Sequence, residues 1–284
     1  MAPRIAALRD GLRRNGYSEA EQLEILGRAS EGDTTRLAGL AEDLVHQKVD
    51  LIVAISPAAV QAAKAVTAAI PIIADDLESD PIRSGFVMSL ARPGGNITGV
   101  FSDFPEFGMK WLQLLKEAVP ALSNAVLLWD PGTGQVQLEA LQTAARLLNV
   151  KLTVVEISAI DELERVFQTA GEKRPDAIII LSSPIFGTKP ERIAELTLIH
   201  HVPTATLFPD IARAGALMAY GPDILGTFRV VGAMSGKVLQ GVRPADLPIE
   251  RPTKFELIIN LKTAKALGLS IPTSLLISAD EVIE

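Results

Sequence analysis

"DLIVAISPAAVQAA", residues 50–63, sends an apolar run into Ser56-Pro57 and directly into a helix rich in small residues. The same plan returns as "DAIIILSSPIFGTKPE", residues 176–191. A short run of Ile, Val and Ala bounded by turn chemistry reads as a strand buried on both faces, the hallmark of a parallel sheet. Serine is a strong N-cap, and proline suits the first helical turn, where its missing N–H is not needed. Each stretch therefore reads as strand, cap and helix.

Each is followed by a proline-led strand, "IPIIADD" (70–76) and "VPTATLFPD" (202–210), and the Ser-Pro prolines are 127 residues apart. This repetition predicts an α/β fold of two doubly wound parallel-sheet lobes. The plainer alternative is that any two parallel-sheet segments look alike. Strands are expected at 23–27, 51–55, 72–75, 97–100, 125–129, 152–157, 177–181, 204–208 and 216–219. Helices are expected at 5–15, 35–47, 58–68, 107–118, 136–148, 162–170, 191–200, 225–240 and 261–267. The lobe boundaries are set at 1–101 with 220–250, and 102–219 with 251–284. In open α/β sheets, ligands bind beyond the carboxyl ends of the strands. Helix N-termini there offer free N–H groups to a carboxylate or phosphate. Two such edges imply a ligand cleft between the lobes.

Composition narrows the function. Hydrophobic residues make up 48% of 284, enough for sizeable cores. The net charge of −7, with no basic cluster, argues against nucleic acid. With no cysteine, disulfides, thiolate metal sites and cysteine nucleophiles drop out. No apolar run approaches the roughly 18 residues of a membrane span, and no signal peptide is recognisable.

The chemical motifs are few. "DPGTGQVQ" (130–137) places Gln137 where a dinucleotide fingerprint needs its third glycine, and no P-loop occurs. His200-His201 reads as a helix C-terminus and not a metal pair, and no serine sits in a nucleophile elbow. Asp75 and Asp76 end a strand and point to opposite faces, so one is expected at the ligand edge and the other on the next turn. Tyr220 and Asp223 of "AYGPD" allow two readings, a helix N-cap or a ligand-facing pair in which the carboxylate meets an ammonium group. No metal site and no cofactor are expected.

"SLARPGGNITGV" (89–100), "KWLQLLKEAVP" (110–120), "AGALMAYGPD" (214–223) and above all "LPIERPTKFELIINLKTAKALGLSIPTSLLISADEVIE" (247–284) resemble the ABC-transporter substrate-binding proteins of the family that includes tryptophan and other aromatic amino-acid binders. The resemblance runs from Ile5 to Glu284. It implies a type I periplasmic-binding-protein-like fold that closes on a small polar ligand, an amino acid or related carboxylate. Carried over residue by residue, it implies ligand contacts from Ser56, Pro57, Ala58, Asp76, Thr98 and Ser102 in the first lobe. From the second it implies Asp130, where many relatives have Asn, with Ser182, Ser183, Phe208, Tyr220 and Asp223. It further implies an extracytoplasmic receptor that does no chemistry, partnered by importer permease subunits and monomeric.

Two other classes compete. One is a cytosolic small-molecule sensor of the same fold, for which no DNA-binding module precedes the domain. The other is a two-lobed enzyme with Asp76 or Asp130 as a base. The resemblance also implies a strand ahead of the first helix. Its absence here predicts a late start or a cut chain, with a gap or distorted sheet edge in the first lobe. The apolar face Ile5, Leu8 and Leu12 is expected to cover that sheet.

Overall fold

The computed structural model describes residues 2–18, 23–102 and 104–284. The chain forms two compact units, residues 1–103 with 222–254 and residues 104–221 with 255–284. The chain therefore passes from one unit to the other three times. The passages fall after residues 103, 221 and 254.

In chain order the first unit begins with α1 (Ala2–Arg13), α2 (Leu37–His46), β1 (Ile52–Ile55), α3 (Pro57–Val66), β2 (Ile72–Asp76) and β3 (Ile97–Phe101). The second unit follows with α4 (Phe104–Ala118), β4 (Asn124–Trp129), α5 (Val136–Leu147), β5 (Lys151–Glu156), α6 (Leu163–Glu172), β6 (Ala177–Ile180), α7 (Pro190–Ile199), β7 (Thr204–Thr206), α8 (Pro209–Ala214) and β8 (Met218–Pro222). α9 (Ile224–Leu239) belongs to the first unit. β9 (Phe255–Asn260), α10 (Leu261–Ala266), α11 (Thr273–Ser278) and β10 (Glu281–Ile283) complete the second.

Among the described residues the first unit holds a parallel sheet in the order β1-β2-β3. One face packs Ile52, Ala54, Ile72, Ala74, Ile97 and Phe101 against Val60 and Ala63 of α3 and the loop residues Phe86 and Val87. Burying each large side chain there contributes about 1.5–3 kcal/mol. The other face carries Val53, Ile55, Ile73, Asp75, Thr98 and Val100, and α9 packs on β2 and β3.

Here two expectations are corrected. Residues 23–27 form no strand; Arg28 instead ties this stretch to α2 through a 2.6 Å hydrogen bond from its Nε to Asp43. β1 is consequently an outer strand of the sheet. The apolar face of α1 meets α9. The contact runs through glycines: a Cβ on Gly11 would lie 2.1 Å from the Arg229 carbonyl oxygen, and one on Gly232 would lie 2.1 Å from that of Leu8. Only helices without side chains at the crossing approach so closely.

The second unit's sheet runs β10-β9-β8-β7-β6-β4-β5. Every neighbouring pair is parallel except β8 and β9. There, Asn260 N–H donates to the Leu217 carbonyl and Asp223 N–H to that of Lys254, both at 2.9 Å, the register of an antiparallel pair. The sheet is therefore mixed, and β9, β10, α8 and α11 add to the expected elements. Within the second unit, the ring of Tyr220 stacks on Phe107 at 5.4 Å and on Phe255 at 5.9 Å. None of the described helices is long and apolar enough to cross a membrane.

Candidate functional site

In the first unit, Ser56, Asp75, Asp76 and Ser102 gather at the carboxyl ends of β1, β2 and β3. Ser56 caps α3: its hydroxyl accepts from Ala59 N–H at 3.4 Å, and its own N–H donates to the Asp75 carbonyl at 3.0 Å. It does so at φ +92°, ψ 156°, a region that glycine alone enters freely. Such strain costs on the order of 1–3 kcal/mol and collects at ligand-binding turns. Pro57 and Ala58 form the first turn of α3, both half-buried.

The two aspartates divide as opposite faces require. Asp76, level with Phe101, turns back on its own loop. Its Oδ1 accepts from Glu78 N–H at 3.0 Å and Ser79 N–H at 2.9 Å, and its Oδ2 accepts from the Ser79 hydroxyl. Burial raises its pKa, while these hydrogen bonds hold it down. Asp75, level with Val100, lies on the α9 face and is 3% exposed. Its Oδ2 is 3.5 Å from the Thr227 hydroxyl, a marginal contact, and its Oδ1 has no partner. Burial pushes its pKa up to about 7, against the pull of the Arg4 guanidinium and with the push of Asp76.

Ser102 N–H donates to the Asp76 carbonyl at 3.3 Å, and its buried hydroxyl is also unpartnered. Thr98 is fully buried, and its hydroxyl donates to the Leu247 carbonyl at 2.7 Å. Asp223 caps α9, accepting from Gly226 N–H at 2.8 Å. Its other oxygen lies 3.5 Å from Lys254 Nζ and 3.8 Å from Arg229. Both of its oxygens are thus engaged.

In the second unit the ends of β4 and β6 are laced together. Asp130 accepts from Gly132 N–H at 2.8 Å and from the Ser183 hydroxyl at 2.6 Å. The Ser183 hydroxyl also accepts from Ile185 N–H at 3.2 Å. Ser182 is held by Gln137, whose Oε1 accepts Ser182 N–H at 2.7 Å while its Nε2 donates to the Ser182 carbonyl at 2.9 Å. Phe208, buried, leads into α8. Tyr220 is half-buried in its aromatic stack, and burial raises its pKa.

In the sequence, Gln137 stands out only as a missing glycine. Its signal was a polar side chain on the first turn of a helix beside a strand end. An open groove of about 600 Å³ lies along β5 and α6, lined among others by Thr153, Glu156, Arg165 and Lys173; none of the candidate residues borders it. Among the described residues no group of His, Cys, Asp and Glu is placed to hold a metal.

The signature of ABC transporter substrate binding proteins matches residues 2–283. The chain belongs to that family. It is 28% identical over 273 residues to the tyrosine-binding protein of Clostridioides difficile, covering 93% of this chain and 75% of that one. Among solved structures it is similar to an ABC domain from Streptococcus pneumonia in complex with L-Trp, with TM-score 0.92 and 26% identity over 99% of this chain and 95% of that one. A conserved domain protein from Vibrio cholerae shares the fold at TM-score 0.92 and 24% identity, covering 99% and 94%.

Proposed function

We propose that this substrate-binding protein is the solute receptor of an ABC importer and that its ligand is an aromatic amino acid. The observation that carries the reading is likeness over nearly the whole chain to two proteins described with tyrosine and with L-Trp. The carboxyl-edge loops support it. They bring a strained serine cap and buried carboxyl groups to the place where open α/β sheets bind small molecules. The receptor works outside the cytoplasm as a monomer and hands its ligand to the permease subunits.

The direct test is a thermal-shift panel of L-tryptophan, L-tyrosine, L-phenylalanine, aliphatic amino acids and sugars. A ligand at 100 times its dissociation constant adds about 2.7 kcal/mol of stability. Stabilisation by the aromatic set is the expected result, and a response to sugars alone would overturn the reading. The units close on the ligand as rigid bodies. X-ray scattering should then show compaction at saturating ligand, and superimposable profiles would count against closure.

A further inference from the structure

Among the described residues, the buried side-chain polar atoms left without a hydrogen-bond partner are Asp75 Oδ1 and Ser102 Oγ. They are neighbours in the fold. Asp75 is level with Val100, and Ser102, two residues further on, falls on the same face of the sheet. That face is the one covered by α9, which supplies the Thr227 hydroxyl. Leaving a buried acceptor unpaired costs about 1–3 kcal/mol. Two such atoms at the carboxyl ends of adjacent strands call for a donor that none of the described residues supplies.

We infer that Asp75 and Ser102 form the subsite that receives the ammonium group of an amino-acid ligand. The inference rests on the proposed amino-acid function and adds the residues that read the charge. An ionised carboxylate only accepts, and a serine oxygen can accept, so the complementary group is a cation with several N–H donors. Of the groups on an aromatic amino acid, the ammonium alone is cationic. Asp223, the carboxylate the sequence offers for this role, accepts from Gly226 N–H on one oxygen and faces the cations Lys254 and Arg229 at 3.5 and 3.8 Å with the other. Asp76 is spent on Glu78 and Ser79.

The site also predicts a pH signature. The charged groups acting on Asp75 are Arg4 of α1 and Asp76 of β2, and α9 contributes only the neutral Thr227. With the free carboxyl titrating near 7, ammonium binding below that pH must expel a proton, and affinity weakens as pH falls.

Calorimetric titration of the full chain decides the matter. Wild type, Asp75→Asn and Ser102→Ala are titrated with L-tryptophan and L-tyrosine, and with indole-3-propionate and 3-(4-hydroxyphenyl)propionate, which lack only the ammonium. Asp75→Asn should bind the amino acids about tenfold or more weakly, with the des-amino acids unchanged. Ser102→Ala, which alters no charge, should lose about two- to tenfold in the same selective way. Between pH 8 and pH 5.5 the wild-type affinity should fall, and that of Asp75→Asn should stay level. Unchanged amino-acid binding by both variants would overturn the subsite and leave water as the occupant. Equal loss of amino acid and des-amino acid would overturn it too, pointing to a ring donor or a general disturbance. If wild type binds only a non-aromatic amino acid, the same arms run with that ligand, and the aromatic reading alone falls. If wild type binds no amino acid, both readings fall.

Discussion

Ser56 holds a glycine's conformation without being one. Replacing a serine cap with glycine costs only a few tenths of a kcal/mol, whereas relief of the strained φ returns about 1–3 kcal/mol. Ser56→Gly should therefore unfold at higher urea than wild type. Ser56→Ala, which keeps the strain and loses the cap, should fall by about 0.5–2 kcal/mol. A lower midpoint for glycine than for alanine would refute this. Asp75 makes a second residue-level prediction. Its folded pKa, about 7, exceeds the ordinary 3.8, so the folded chain keeps a proton that the unfolded chain has lost. Its stabilising contribution is full below about pH 3.8 and is lost as pH rises through 7, at about 1.4 kcal/mol per pH unit of displacement. Melting temperatures of the ligand-free protein should drop more steeply from pH 5 to 8 for wild type than for Asp75→Asn. Which aspartate would face which way was not legible in the sequence. Alternation says that Asp75 and Asp76 diverge, but only the packing of α9 on one face and the Phe86 loop on the other tells them apart.

Between elements, α1 and α9 of the first unit cross closely through glycines. Glycine to alanine inside a helix normally gains about 1 kcal/mol. At Gly39, exposed in α2 with nothing within 4 Å of an added Cβ, that gain is expected. At Gly11 or Gly232 the added methyl would strike carbonyl oxygen, and a loss of about 1–3 kcal/mol or more is expected. Urea titration of the three variants checks the reversal of sign. Gln137 holds α5 to the strand end at Ser182, so Gln137→Leu strands a buried N–H and a buried carbonyl. It should cost about 1–3 kcal/mol for each group and weaken ligand binding, as calorimetry would show. The strands flanked by Ser-Pro turns were legible because each apolar run stops at a cap. β9 was not, because "FELIIN" runs into α10 without a break. Residues 23–27 look like a strand in composition yet lie beside no strand partner, and strands are made by their neighbours.

At the scale of the molecule, both tryptophans, Trp111 and Trp129, belong to the second unit, whereas helices and strands fill both. Fluorescence therefore reports one unit and far-UV circular dichroism reports two. Without ligand the two urea curves should have different midpoints, and saturating ligand should bring them together. Coincident curves without ligand would show a single cooperative block. The contact of α1 with α9 bears on how such a chain comes into being. Gly11 and Gly232 stand about 220 residues apart, so α1 is synthesised long before the helix it packs on. By then every strand from β1 to β8 has been synthesised. The first unit is thus finished late, and α1 stays without its partner until α9 emerges, open to proteases, chaperones or a translocation channel. Nascent chains arrested before α9 should lose α1 to mild proteolysis, and chains extended past it should keep it.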